Sequence, residues 1–455
     1  LTTTAGLMSF YVAEMKPIQE MGKISSIGVV VMLAYSMILL PARMAILPLE
    51  AREPRPSPLV DGVLGWLAAT SARHPGRIVG VTAVGVVAAI AAMMLLYTSS
   101  NPISWFPVEH PYRQASDLVN ERFLGTSAIE VVIDTGRENG LHEPALMERL
   151  EALERLVERH KGEGARLSHT SSVLDIVKET HQAHNANDSA FYGVPEDRRL
   201  LAQELLLFEN SGSDDLEKVV DSQFSRARFT IGSRWTDGAD TAPFLVGFEP
   251  EVWETLGDGV TVELTGMSPL IARTVEATYQ SMLRSYGLAL ALITPLMILL
   301  IGSLRSGLVS MVPNLVPILF TMGMMGATGI PIDMFTLLAG CIAIGLAVDD
   351  SIHFISGFRR YLAMGYDPVR AVEETMHSTG RALLFTSIVL TSGFAVLLLS
   401  EMLNLRQVGA LTSFAIVMAF LLDVTVTPAL LVLTHRREVA AAGNLDRDPN
   451  ARAAA

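Results

Sequence analysis

Long apolar runs dominate the 455-residue chain and are interrupted by one large polar region. A helix needs about 20 apolar residues to cross roughly 30 Å of hydrocarbon. By that measure complete spans are predicted at residues 24–41, 78–98, 285–303, 308–328, 334–356, 382–400 and 409–434, and residues 1–13 read as the end of another. The polar region, residues 99–284, follows different periods. Residues 127–134 alternate as a strand, and Leu146, Leu150, Leu153 and Leu156 recur at helical spacing. Further strands are predicted at 226–235 and 260–265, loops at 185–192 and 210–215, and a helix over 268–284 that feeds the next span. The order is α+β and consistent with split βαβ units.

Composition agrees with a membrane protein: half of the residues are hydrophobic and 18% are charged. The net charge of -13 sits in the polar region, where residues 98–280 hold 16 Lys and Arg against 31 Asp and Glu. Such acidity excludes nucleic acid as a partner, since phosphate binding needs basic surface. Cys341 is the only cysteine and lies in an apolar run, which excludes a disulfide framework and a cysteine metal site. His181 and His184 near Asp188 are too few to predict a metal centre. No phosphate-binding Gly-x-x-x-x-Gly-Lys-Ser/Thr loop occurs, no nucleophilic triad assembles and no cofactor is called for, so the expected energy source is an ion gradient rather than catalysis. The chain begins at Leu1 inside apolar sequence, without a charged leader, and reads as a piece of a longer protein.

Basic residues in the short loops set an expected orientation. Arg43, Arg52, Arg55, Arg73, Arg77, Arg305, Arg359, Arg360, Arg370, Arg381, Arg436 and Arg437 fall on one side, Lys16, Lys23 and Arg406 on the other. The first side is then cytoplasmic, and the acidic region projects outside the cytoplasm. The predicted organisation is six segments. Residues 1–48 are the last, truncated helices of a first repeat; 49–77 are a cytoplasmic linker with an amphipathic helix carrying Leu59, Val63, Trp66 and Leu67; 78–98 are a span; 99–284 are the periplasmic domain; 285–434 are a five-helix block; and 435–455 are a cytoplasmic tail.

The repeat is visible without a gap. At an offset of 387, Thr4 falls on Thr391, Gly6 on Gly393, Glu14 on Glu401, Met15 on Met402, Gly22 on Gly409, Ser26 on Ser413, Val30 on Val417 and Pro41 on Pro428. Matching glycines, a Glu-Met turn and a terminal proline point to a tandem duplication.

The candidate chemistry lies in residues 340–353. Asp349 and Asp350 stand side by side in an otherwise apolar span, where an ionised carboxylate costs about 3 kcal/mol and is by default a functional group. Counted from an inner boundary near Ser356, they lie about 10 Å deep, nearer the cytoplasm. His353 is four residues from Asp349, hence on its face, and offers a proton path inward. Thr386, Ser387 and Thr391 of the next, antiparallel span come to similar depth and can hydrogen-bond a carboxyl in either protonation state. A purely structural role, holding helices in register, is the competing reading of each. Asp423 in the last span reads as a packing partner of these acids. Pro313 and Pro317 predict a kink, and Gly323, Gly326 and Gly329 predict close helix approach.

Residues 312–317, 345–354, 391–394 and 409–428 together resemble the resistance-nodulation-division (RND) superfamily, and within it the hydrophobe/amphiphile exporters related to the mycobacterial membrane-protein-large group. The resemblance implies a polytopic α-helical bundle in two pseudo-symmetric halves, with a periplasmic α+β domain of ferredoxin-like βαβ units in each. It implies proton antiport at Asp349 and Asp350 and export of hydrophobic, lipid-like molecules such as a sterol or hopanoid. The expected partners are that substrate, protons, the bilayer and the missing N-terminal half; a homo-oligomer or a periplasmic adaptor stays open. Tripartite drug pumps carry a Lys in this half, so a drug-pump reading does not follow. The alternatives are a sterol-sensing, receptor-like lipid binder and a translocation accessory of the SecDF type.

Overall fold

The structure, a computed structural model, describes residues 2–13, 15–47, 58–123, 125–161 and 167–447. Glu14 of the repeat, Arg52 and Arg55, residues 48–57 of the linker and residues 448–455 of the tail lie outside the described residues. Along the chain come α1 (Thr2–Met8), a 3-10 turn (Ser9–Val12), α2 (Lys16–Ile46), α3 (Pro58–Arg73), α4 (Pro75–Met93), α5 (Pro111–Arg122), β1 (Ser127–Asp134), α6 (Pro144–Arg159), β2 (Leu167–Ser171), α7 (Val173–His184), α8 (Arg198–Glu209), α9 (Asp215–Val219) and β3 (Arg226–Ser233). They are followed by α10 (Gly238–Leu256), β4 (Thr261–Thr265), α11 (Met267–Ile301), α12 (Leu304–Thr328), α13 (Met334–Ala363), α14 (Pro368–Thr375), a π-helical turn (Met376–Gly380), α15 (Arg381–Ala395), a 3-10 turn (Val396–Leu399) and α16 (Leu403–Arg447). Contacts divide these into two units, Leu1–Thr98 with Ala277–Ala455, and Ser99–Glu276.

In the Ser99–Glu276 unit the sheet order is β2-β3-β1-β4 and every neighbouring pair is antiparallel. Because β1 and β2 both run against β3, they are parallel to each other across it, and so are β3 and β4 across β1. The result is two interleaved β–α–β crossovers, through α6 and α10. Alternation in β1 buries Ile129, Val131 and Ile133, which face Ile231, Phe229 and Ala227 of β3. Leu146, Leu150, Leu153 and Leu156 of α6 and Phe248, Val252 and Leu256 of α10 complete this core. α7 starts on a capping box, with the Leu174 amide donating to Ser172 Oγ at 3.1 Å and the Ser172 amide to Asp175 Oδ2 at 2.8 Å.

Lys178 is buried in α7 and donates to Glu154 at 3.0 Å and contacts Glu151 at 3.2 Å. Burial disfavours its ammonium, but the two carboxylates outweigh that and hold its pKa above the usual 10.5. A group raised in the folded state stabilises fully below its unfolded pKa and loses that contribution only as pH rises through the folded value. Lys178→Met is therefore expected to cost about 1–3 kcal/mol at neutral pH, with the difference from wild type vanishing only in strong alkali. Urea titration followed by tryptophan fluorescence measures both.

Seven helices of the described residues are long and apolar enough to cross a membrane: α2, α4, α11, Gly307–Thr328 of α12, α13, the stretch Pro368–Leu399, and Leu403–His435 of α16. Each overlaps one predicted span, and α4 ends at Met93, short of the predicted 98. Two of the extensions bear on the site. The span predicted to end at Ser356 continues to Ala363, and the one predicted from residue 382 starts at Pro368, because the polar turn Met376–Gly380 widens to π-helix instead of ending the helix. There Thr375 Oγ1 and Ser378 Oγ donate to the Ala371 and Glu374 carbonyls at 2.7 and 3.0 Å.

Leu64, Ala68 and Ala72 of α3 are buried against the bundle, which leaves Leu59, Val63 and Trp66 of its predicted membrane-facing side exposed. The ion pair of Asp61 with Arg381 fixes the opposite side of α3 against α15.

The duplication is repeated in three dimensions. The 3-10 turn Ser9–Val12 recurs 387 residues later as Val396–Leu399, and the start of α2 at Lys16 recurs as the start of α16 at Leu403. A Cβ on Gly22 would lie 2.6 Å from Phe10 Cβ and 2.9 Å from Leu7 O; on Gly409 it would lie 2.8 Å from Leu397 Cβ and 2.8 Å from Phe394 O. These are the same contacts at the same offset.

Candidate functional site

α13 positions the acids. Its first turn is fixed by a capping box, the Thr336 amide donating to Asp333 Oδ1 at 2.7 Å and the Asp333 amide to Thr336 Oγ1 at 2.8 Å. Asp349 and Asp350 then fall near the middle of the 30-residue helix, about 20 Å from either end at 1.5 Å per residue. The helix runs seven residues past Ser356, the inner boundary assumed from the sequence, and that extension carries Arg359 and Arg360.

The two carboxylates are half-buried and face different partners, as adjacent helical residues about 100° apart must. Thr3 Oγ1 of α1 donates to Asp349 Oδ2, and Ser387 Oγ of α15 donates to Asp350 Oδ2 at 3.4 Å. α1 comes this close because Gly6 faces Gly345: a Cβ on Gly6 would lie 3.0 Å from Gly345 Cα. By the 387-residue offset, α1 and α15 are corresponding helices of the two copies. Each copy thus contributes one hydroxyl to one acid.

Of the other predicted residues, Ser387 is buried and engaged as above. Thr391 lies one turn further along α15, with its Oγ1 buried and without a hydrogen-bond partner among the described residues. Thr386 is exposed and back-bonds to the Leu383 carbonyl at 2.9 Å, because it lies about 100° round the helix from Ser387. His353 is exposed and hydrogen-bonds to none of the described residues; its ring is on the side of α13 away from the bundle core. Thr3 was not predicted. Only its neighbour Thr4, aligned with Thr391 in the repeat, hinted that α1 carries hydroxyls at this level.

A cavity of about 380 Å³ opens between α11, α12, α13 and α16, lined by Tyr286, Leu290, Met322, Leu337, Ala343 and Leu411 among others, almost all apolar. The Tyr286 hydroxyl donates to the Leu337 carbonyl at 2.6 Å. A Cβ on Gly340 would lie 2.2 Å from that hydroxyl, so a larger residue there would displace Tyr286. Among the described residues no group of three His, Cys, Asp or Glu could hold a metal ion; His181 instead meets Glu204 at 2.8 Å.

A profile of the MMPL family matches residues 104–451. The chain belongs to the MMPL family. It is 24% identical to a membrane protein of Methanocaldococcus jannaschii, over 72% of this chain and 83% of that one. It is 29% identical to the trehalose monomycolate exporter MmpL3 of Mycobacterium tuberculosis over 38% of this chain and 19% of that one. With the multidrug resistance protein MdtC of Escherichia coli the figures are 28%, 40% and 18%. The chain therefore spans about a fifth of the length of these two proteins. A solved structure of SecDF aligns over 97% of this chain and 48% of its own with 14% identity and a TM-score of 0.45. The protein is thus a multi-pass membrane protein of the RND superfamily.

Proposed function

We propose that this MMPL protein takes part in proton-driven export of hydrophobic or amphiphilic, lipid-like molecules across or out of a bacterial inner membrane. The observation that carries the reading is the acid pair: two carboxyls halfway along a membrane helix, each met by a hydroxyl from the corresponding helix of a duplicated bundle. Ionised, each costs about 3 kcal/mol at that depth, so both are poised to take up and release protons as a gradient is applied. Asp349 and Asp350 are the proton-loading groups in this proposal, and Ser387 and Thr3 hold them. Thr391, with its free hydroxyl one turn away, extends the relay; Thr386 and His353 line its exit only once the first copy's helices cover their faces. The apolar cavity supports a hydrophobic cargo, as does the name of the mycobacterial relative. The interleaved crossovers of the soluble unit support a ferredoxin-like, porter-type domain, and the arginine-rich loops support its placement in the periplasm.

The test is efflux of the hydrophobic dye N-phenylnaphthylamine from energised cells that express the intact protein. Expression is expected to speed efflux, and a protonophore to return it to the rate of cells without the protein. Efflux that persists with the protonophore contradicts proton coupling; dye binding without efflux favours the receptor-like alternative.

A further inference from the structure

Beyond the acid pair, the bundle buries a third carboxyl. Asp423 of α16 is 1% exposed, and so enclosed are its neighbours Ser351 of α13 and Asn314 of α12, at 0% and 3%. They form a chain that crosses three helices. Asn314 Nδ2 donates to the Ser310 carbonyl at 3.0 Å, which turns Asn314 Oδ1 toward Ser351 Oγ at 2.7 Å. Ser351 Oγ also contacts Asp423 Oδ1 at short range, and Thr427 Oγ1 donates to the same oxygen at 3.0 Å. Asp423 Oδ2 has no partner among the described residues.

Counting hydrogens favours the acid form. Asn314 Oδ1 can only accept, so the single hydrogen of Ser351 goes to it. The contact between Ser351 and Asp423 then needs a hydrogen from the carboxyl. Turning the amide over would set Asn314 Oδ1 against the Ser310 carbonyl, oxygen to oxygen. A carboxylate would also leave a charged Oδ2 unsatisfied in the core, whereas in the acid form Oδ2 is a neutral carbonyl oxygen. If the proton leaves, the Ser351 hydrogen swings to Asp423, and Asn314 Oδ1 is left without a donor.

We propose that Asp423 is a third proton-binding site of the bundle, and that its proton locks α12 to α13 and α16 through Ser351 and Asn314. The inference rests on the proton-coupled reading above and extends it to a residue of the last span that the sequence reading assigned to packing. Asp350, beside Ser351 on α13, is the titratable group that acts on it; from α3, the Ser71 hydroxyl reaches the Val424 carbonyl at 3.4 Å. A cavity of about 10 Å³ against Ser310, Thr427 and Thr434 has room for one water, next to the Thr427 hydroxyl that donates to Asp423. The repeat makes the site one-sided: 387 residues earlier stands Ser36, which has no carboxyl to titrate.

Infrared difference spectra of the purified intact protein at neutral pH test the assignment. A carboxylic-acid carbonyl band is expected in the double variant Asp349→Asn, Asp350→Asn, where those two acids no longer contribute, and is expected to vanish when Asp423→Asn is added to it. A double variant with carboxylate bands alone, or an acid band that survives the added Asp423→Asn, overturns it. Asp423→Asn and Asn314→Leu are both expected to lose protonophore-sensitive dye efflux while reaching the membrane folded, as judged by thermal melting. Wild-type efflux in folded Asp423→Asn overturns the working role of the site. If instead Asp349→Asn alone keeps wild-type efflux, the proton-coupled reading fails while the infrared result for Asp423 stands.

Discussion

Exchange of Asp349 and Asp350 for Asn is expected to abolish protonophore-sensitive efflux and to leave the protein folded. Asn keeps the shape of Asp and still accepts from Thr3 and Ser387, so the contacts of α13 with α1 and α15 survive. What it removes is the ability to take up a proton. Because an ionised carboxylate near the middle of a membrane helix costs about 3 kcal/mol, the paired variant should melt no lower than the wild type. Thermal melting in detergent and dye efflux separate the outcomes: a variant that melts lower and exports nothing shows acids that only hold helices together, whereas one that is equally stable and inert shows acids that carry protons.

The second large effect is expected at the contact of α4 with α12. A Cβ on Gly326 would lie 2.0 Å from the Ala92 carbonyl oxygen, and one on Gly323 2.8 Å from Ala89 Cα. Both obstacles are backbone or nearly so and cannot turn aside as a long side chain can. Overpacking ordinarily costs about 1–3 kcal/mol; here the helices must part, and Gly326→Leu is expected at or above the upper end. It should lower the melting temperature in detergent far more than Gly329→Leu or Gly80→Leu, whose added Cβ meets nothing within 4 Å, though at Gly329, with φ of +71°, backbone strain adds a smaller cost. Equal losses at Gly326 and Gly80 would contradict the close approach.

The membrane helices were legible because a span of about 20 apolar residues is a local signal, and β1 and α6 because their periods of two and 3.6 are strong. β2 was not. Its sequence, Leu-Ser-His-Thr-Ser, has no alternation to read, and it is an edge strand with a register shift against β3. α7 and α8 escaped because their buried positions mix Lys178 and Glu204 with the leucines and valines. In the candidate site, residue type singled out Asp349 and Asp350, and antiparallel depth singled out Ser387, which meets Asp350. Depth alone could not tell Ser387, which faces the acid, from Thr386, which faces away; that needs the rotation of α15, set by the π turn before it. The partner of Asp349, Thr3, lies 346 positions away in the chain, a distance no spacing rule bridges. The same holds for Asp423, whose partners Ser351 and Asn314 sat unread inside two motifs already singled out.

Proton movement that accompanies cargo is the most direct test of the central claim. The intact protein, reconstituted into liposomes that enclose a pH-sensitive dye, should move protons when N-phenylnaphthylamine is supplied under a pH gradient, and the paired Asp349→Asn, Asp350→Asn variant should move none above empty liposomes. Dye-dependent proton flux of equal size in the wild type and the paired variant would contradict the account.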